Sequence, residues 1–345
     1  MIINRILGKF SKDMGVDLGT ANTLIYVAGQ GIVINEPSVV AFNKKTSQIL
    51  AVGNEAKKMI GRTPGHIMAV RPLIDGVISD FEVTELMLKH FIEKVHSQSF
   101  SLLPRPRIVI GIPSGVTEVE KRAVQDAAFG AGAREVYLIE EPMAAALGAR
   151  LPVEEAVGNL IIDIGGGTTE VAMISLGGIV TSQSLRIAGD KLNQDIIDYV
   201  RDEYKLLLGE RSAENIKIAI GSAWKLGEEL EISARGRDLA TGLPKEIILS
   251  SEEVRVAMMD SLKLLSETVR NTIEQAPPEL VADMMHKGIV LSGGGSLLRG
   301  IDKLIENTTK MPVKITNDPL TAVVRGAGII LEDLERLKHI LATTE

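Results

Sequence analysis

Residues 160–171 read LIIDIGGGTTEV, and residues 14–24 read MGVDLGTANTL. Each is an apolar strand pattern running into an Asp, a Gly and, four residues after the Gly, a Thr. Both fit Asp-[Leu/Ile]-Gly-x-x-x-Thr, at Asp17–Thr23 and at Asp163–Thr169. Each then continues into a second strand pattern, Leu24–Val27 or Val171–Leu176. A glycine turn follows, Gly29–Gly31 or Gly177-Gly178, and then a return strand, Ile32–Asn35 or Ile179–Ser182. A further strand is expected after each copy, at Ser38–Phe42 and Ser184–Ile187. A chain that repeats its opening unit predicts two similar lobes.

Outward from the repeats, strand and helix patterns alternate. Arg107–Ile112, Val136–Ile139 and Gly288–Leu291 read as strands. Thr117–Phe129 reads as a helix, opened by Thr117 with Glu120 at capping-box spacing. Pro142–Gly148, Lys191–Leu208, Ala213–Ile220, Ser251–Gln275 and Ala322–Leu337 also carry helical patterns, and a strand pair is expected around Arg235–Ile248. Hairpins mixed with strand–helix units predict an α/β fold.

Composition narrows the function classes. The 345 residues suggest two domains, and 45% apolar residues are enough for substantial cores. With 38 basic against 45 acidic residues the formal charge is -7, which argues against a general nucleic-acid binder. There is no cysteine, so disulfides, thiolate catalysis and cysteine-held metals are excluded. No apolar run reaches the length of a membrane span, and the first ten residues are not expected to be a secretory leader.

The repeats also carry the candidate chemistry. Glycines let backbone N–H groups approach phosphate oxygens, and an Asp at the strand end can hold a hydrated Mg²⁺. One such hairpin alone reads more readily as an ordinary turn; the repeated spacing reverses that preference in favour of a polyphosphate gripped from two sides, with Asp17 and Asp163 serving the metal. Ile289–Gly295 ends a strand in three glycines, against which a flat nucleoside can lie. Glu140-Glu141-Pro142 follows a strand and opens a helix. A carboxylate there can orient a water for attack on a γ-phosphate, or simply complement the helix N-terminus; the residues permit both.

These motifs together resemble the superfamily of actin, heat-shock chaperone ATPases and sugar kinases. Longer stretches resemble its bacterial MreB family: Asp17–Tyr26, Asn35–Val40, Gly61–His66, Arg71–Phe81, Ile139–Ala149, Asp163–Val171, Arg235–Pro244 and Thr321–Gly328. The resemblance implies an actin-like ATPase fold, two similar lobes around a nucleotide cleft, each with a smaller peripheral subdomain. The expected lobe I core is 14–34, 71–150 and 321–345, with a small subdomain at 35–70. Lobe II is expected at 151–188 and 251–320, with its small subdomain at 189–250. The implied cofactors are ATP or ADP and Mg²⁺.

By position, Asp17, Gly19, Thr20, Ala21 and Asn22 match the family's first phosphate loop, and Asp163, Gly165, Gly166, Gly167 and Thr168 match the second. Glu141 matches the water-positioning residue, with Glu140 as its near alternative. Glu214 and Lys217 fall where the family contacts the nucleoside, and Gly293, Gly294, Gly295 and Ser296 match the adenosine loop. The phosphate-binding lysine that muscle actin carries near Asn22 and Thr23 is missing here, as is usual in the family, so backbone donors carry more of that task. The implied role is a slow ATPase forming homopolymer filaments that organise cell-wall synthesis and so set cell shape. Its expected place is cytoplasmic, peripheral to the inner face of the cell membrane. Its expected partners are itself, membrane lipids and membrane proteins of wall elongation, with no nucleic acid. A metabolic kinase would need a sugar-binding carboxylate motif, and a chaperone a peptide-binding region after the ATPase, where this sequence stops at Glu345. A scaffold that does not hydrolyse ATP is the remaining alternative.

The first thirteen residues read as a membrane-binding segment. On a helix of about 100° per residue, Ile2, Ile3, Ile6, Leu7 and Phe10 fall within roughly 140°. Arg5, Lys9 and Lys12 lie among the polar residues opposite, a pattern suited to anionic lipid. Phe100, Leu102 and Leu103 form a second apolar candidate, where the family has a lipid-inserting loop.

Overall fold

The computed structural model describes residues 11–97 and 105–342. The membrane candidates Ile2, Ile3, Ile6, Leu7, Phe10, Phe100, Leu102 and Leu103 lie outside them. The described chain divides into two units. One runs to Glu155 and takes in Leu176–Ile179 and the residues from Leu320 onward; the other is Ala156–Ser175 with Val180–Pro319.

The first unit is built on a five-stranded sheet. Its strands are β1 (Met14–Leu18), β2 (Asn22–Val27), β3 (Gly31–Pro37), β4 (Arg107–Ile112) and β5 (Glu135–Glu140), in the order β5-β4-β1-β2-β3. β1 runs antiparallel to β2 and parallel to β4. Side chains alternate between faces. Met14, Val16 and Leu18 join Ile108 and Ile110 in a core closed by Met87, Leu88 and Phe91 of the Phe81–His96 helix. Between them, Gly15 faces the other way. A Cβ there would sit 2.9 Å from the backbone of Ala327, so the Ala322–Glu332 helix lies directly on the strand.

The second unit repeats this plan. Its strands are β6 (Asn159–Ile164), β7 (Thr169–Ser175), β8 (Gly178–Leu185), β9 (Ile289–Ser292) and β10 (Val313–Ile315), in the order β8-β7-β6-β9-β10. β6 is antiparallel to β7 and parallel to β9. Leu160, Ile162 and Ile164 pack with Met258, Leu262 and Leu265 of the Ser251–Gln275 helix and with Leu192 and Ile196 of the Gly189–Tyr204 helix. The duplication seen in the motifs is thus a duplication of sheet topology.

Local chemistry fixes several boundaries. Thr117 caps the Glu118–Gly130 helix with both halves of the capping box in place, and Ser250 does the same with Glu253 for Ser251–Gln275. The expected further strands need correction. Ser184–Ile187 is no separate strand, because β8 already extends to Leu185. Val40–Asn43 leaves the main sheet and pairs with Ile49–Val52 and Ile67–Val70 in a small three-stranded sheet. A second small sheet joins Leu206–Leu207, Glu231–Asp238 and Pro244–Ser250. The helix expected over Ala322–Leu337 breaks at Asp333 into Ala322–Glu332 and Leu334–Leu337.

Candidate functional site

In both units the candidate residues sit at the carboxyl ends of the parallel strands, where α/β sheets commonly present ligand-binding loops. In the first unit, half-buried Asp17 lies opposite Gly111 of β4, and the β1–β2 loop carries Gly19, Thr20, Ala21 and Asn22. That loop is pinned from three directions. The buried Ser38 hydroxyl donates to the Gly19 carbonyl at 2.6 Å and lies 2.9 Å from Thr23 Oγ1. The Ser38 N–H donates to the Ala21 carbonyl at 3.1 Å, and the Gly76 N–H donates to Thr20 Oγ1 at 2.9 Å. With these carbonyls occupied, the loop presents fewer negative ends to a phosphate.

The two glutamates separate clearly. Glu140 ends β5 and accepts a hydrogen bond from Ser114 Oγ at 2.8 Å. Glu141 begins the Glu141–Gly148 helix, with Pro142 following, and is buried. A Cβ on Gly111 would stand 3.4 Å from Glu141 Cγ, so Glu141 adjoins the strand position that pairs with Asp17. Of the pair, Glu141 is the one beside the phosphate loop's acid.

In the second unit, Asp163 is buried and accepts the Ser292 hydroxyl at 2.5 Å. Burial pushes its carboxyl up to about 6; the Ser292 hydrogen bond pulls the other way, and no cationic side chain among the described residues assists it. The loop Gly165, Gly166, Gly167, Thr168 closes by the Gly165 N–H donating to the Thr168 carbonyl at 2.9 Å. The carbonyls of Gly165 and Gly166 accept the N–H groups of Gly189 and Asp190, at 3.2 and 2.8 Å, where the Gly189–Tyr204 helix starts. Lys217 donates to the Gly189 carbonyl at 2.6 Å, and Glu214 precedes it by one turn on the Glu210–Ile220 helix. Gly293 takes a left-handed φ of 77°, and Gly294–Leu297 forms a short 3₁₀ turn closed by Ser296 Oγ on the Gly293 carbonyl at 2.7 Å. The structure therefore brings Asp163, Gly165–Thr168, Lys217 and the Gly293–Ser296 loop together in one unit. Sequence reasoning missed Gly189 and Ser292, which connect these pieces.

The donor set suits Mg²⁺ held through water. A buried carboxylate without a cationic partner lacks a countercharge that a dication would supply. Among the described residues no cluster of three or more His, Cys, Asp or Glu side chains forms a metal cage, and Asp163 stands at the head of the glycine loop 165–167. Mg²⁺ prefers that arrangement: one or two carboxylates, phosphate oxygens and retained water.

A duplicated β-meander with parallel strands, each half bearing an Asp-ended glycine hairpin, defines an actin-like fold. The crystal structure of MreB5 of Spiroplasma citri bound to ADP matches it with a TM-score of 0.89 at 42% identity, over 94% of this chain and 98% of that one. The MamK double helical filament shares the fold, with a TM-score of 0.78 at 24% identity over 92% and 98%. The chain belongs to the MreB/Mbl family, whose model matches residues 11–339. The cell shape-determining protein MreB of Escherichia coli K12 is 54% identical over 338 residues, covering 97% of each chain. The cell shape-determining protein Mbl of Bacillus subtilis 168 is 48% identical over 328 residues, covering 95% of this chain and 98% of that one.

Proposed function

We propose that this chain is an ATP-dependent, membrane-associated filament protein that helps determine cell shape by organising wall synthesis in the cytoplasm beneath the membrane. The observation that carries the reading is the matched pair of Asp-ended hairpins, with Glu141 adjoining the first and the adenosine loop packed on the second. Relatives named for cell-shape determination, and MreB5 of Spiroplasma citri bound to ADP and to AMPPNP, support it. In this reading the Gly19–Asn22 and Gly165–Thr168 loops bind the phosphates of ATP, and Glu214, Lys217 and Gly293–Ser296 bind the nucleoside. Asp17 and Asp163 hold hydrated Mg²⁺, which supplies charge neutralisation on the phosphates. Glu141 orients the water that attacks the γ-phosphate. Self-association is head-to-tail, the heterologous contact that builds filaments.

Electron microscopy with ATP, ADP and no nucleotide tests the whole: filaments that depend on ATP support it, and none under any condition overturns it. A panel of sugars that stimulates ATP consumption would instead favour a metabolic kinase. Glu141→Ala is expected to slow phosphate release by about 10²-fold while sparing ATP binding. Unchanged turnover would remove Glu141 from the role and pass it to Glu140 or elsewhere.

Membrane attachment has a structural support in the described residues that flank both apolar candidates. The Arg105 N–H donates to Ser11 Oγ at 2.8 Å and the Arg107 N–H to Asp13 Oδ1 at 2.8 Å. The Lys12 N–H donates to His96 Nε2 at 3.0 Å, just ahead of Ser97. The chain after the N-terminal segment and both ends of the 98–104 stretch are therefore tied together. Among the described residues no helix is long and apolar enough to cross a membrane, so attachment rests on these two segments. Five partly buried apolar side chains contribute ~1 kcal/mol each, much of it offset by ordering the segment. Single subunits then bind weakly and filaments strongly, through many linked copies. Polymer is expected to pellet with anionic liposomes, and a chain lacking residues 1–12 to pellet much less; equal pelleting would sink the membrane assignment.

A further inference from the structure

The two halves differ at one equivalent strand position, and the difference falls beside the acids. In the first unit the residue paired with Asp17 on the neighbouring parallel strand is Gly111; in the second, the residue paired with Asp163 is Ser292. Paired residues on neighbouring strands share a face, so a side chain at this position meets the acid. Gly111 leaves room that Glu141 uses. Ser292 instead places a hydroxyl on Asp163 Oδ1 at 2.5 Å.

Building on the nucleotide reading above, we propose that Ser292 is the positioning residue for Asp163: it fixes the carboxylate toward the hydrated Mg²⁺ of the nucleotide and ties it to the nucleoside loop.

Three observations carry this. Ser292 is fully buried and Asp163 nearly so, so the hydrogen bond between them is shielded from bulk solvent. A buried acid–hydroxyl pair at a strand end costs stability relative to an apolar pair, so packing alone gives no reason for it. Next, the backbone that carries the serine is held in place. A Cβ on Gly293 would fall 2.3 Å from the Ile164 carbonyl oxygen, and one on Gly295 2.2 Å from Ile164 Cγ2, so residues 292–295 are pressed onto Asp163-Ile164. The Gly293 N–H is held by the Pro319 carbonyl at 3.0 Å. Finally, the hydroxyl occupies Oδ1 and thereby sets the direction of the second carboxylate oxygen. A partner that orients a metal-serving carboxylate in this way governs metal affinity without touching the metal.

The test is a Mg²⁺ titration of fluorescent ADP binding, with a parallel measurement in EDTA, for wild type, Ser292→Ala and Ser292→Thr. Ser292→Ala is expected to raise the Mg²⁺ concentration for half-maximal binding by about tenfold or more, while binding in EDTA stays at the wild-type level. Ser292→Thr keeps the hydroxyl and is expected to restore the wild-type midpoint. Should the alanine variant fail to fold, Ser292→Cys keeps the volume with only a weak donor and is expected to show the same shift. An unchanged Mg²⁺ midpoint, or equal losses with and without Mg²⁺, overturns the role of Ser292 and leaves nucleotide binding standing. No binding by the wild type at any Mg²⁺ concentration overturns both.

Discussion

Asp163→Asn is expected to make the nucleotide-free protein more stable at neutral pH and to remove the Mg²⁺-dependent part of its response to nucleotide. Asp163 is buried, no cation compensates it, and its carboxyl is pushed from 3.8 up to about 6. A folded-state value above the unfolded one means that the native state binds the proton more tightly between those limits. Asp163's contribution to stability is then most favourable below about pH 4, where both states are protonated, and falls as pH rises through 6. Above that the ionised group costs about 3 kcal/mol as an order of magnitude. Asn keeps an acceptor oxygen for Ser292 and carries no charge. In urea unfolding followed by Trp224, the single tryptophan and a residue of the second unit, the variant should exceed wild type at pH 7. The gap should shrink as pH falls toward 4. With Mg²⁺ and ADP the gap should narrow or reverse, because wild type gains the metal-dependent part of the ligand stabilisation and the variant does not. A gap that is absent at pH 7, or independent of pH, would refute the account of Asp163 as a strained acid awaiting a metal.

The second large effect is expected from Gly326→Ala. A Cβ at Gly326 would lie 1.8 Å from the Ala144 carbonyl oxygen, and one at Gly148 1.9 Å from the Ala322 carbonyl oxygen. The Glu141–Gly148 and Ala322–Glu332 helices therefore touch backbone to backbone, at a distance only glycine permits. One methyl has no flexible side chain to displace and must push the helices apart. Overpacking of this kind costs about 3 kcal/mol or more, a fall in melting temperature of roughly 10 °C for a unit of this size. Glu141 rides on the displaced helix, so ATP turnover should fall as well. Calorimetry reads the first effect and phosphate release the second; an unshifted transition would mean that the helices can separate at no cost.

The parts of the fold legible in the sequence are those fixed by local patterns. The Asp–Gly–Thr repeat announced both hairpins, and Thr117 with Glu120 announced a helix start that the structure reproduces atom for atom. The Phe81–His96 helix went unread although Asp80 caps it through the Val83 N–H and its buried positions recur at helical spacing. Longer-range features were less accessible. Whether Val40–Asn43 stays in the main sheet depends on which partner strand wins, and a strand pattern does not encode that. Ser292 looked like the start of a glycine run, because its bond to Asp163 spans 129 residues and depends on the register of two parallel strands. The residues alone suit Glu140 and Glu141 equally and only the resemblance puts Glu141 first; that Glu140 accepts from Ser114 while Glu141 adjoins Gly111 depends on contacts across strands that a local pattern does not carry.

The Ala322–Glu332 helix lies against β1 and the Glu141–Gly148 helix, so the first unit's sheet is covered by residues that follow the whole second unit in sequence. On the ribosome, everything that the second unit needs emerges by Pro319, while the earlier-made half still exposes an apolar sheet face. The order of completion is thus the reverse of the order of synthesis. The nascent first half is the natural client of holding chaperones, and a stalled ribosome just short of residue 322 would strand it half built.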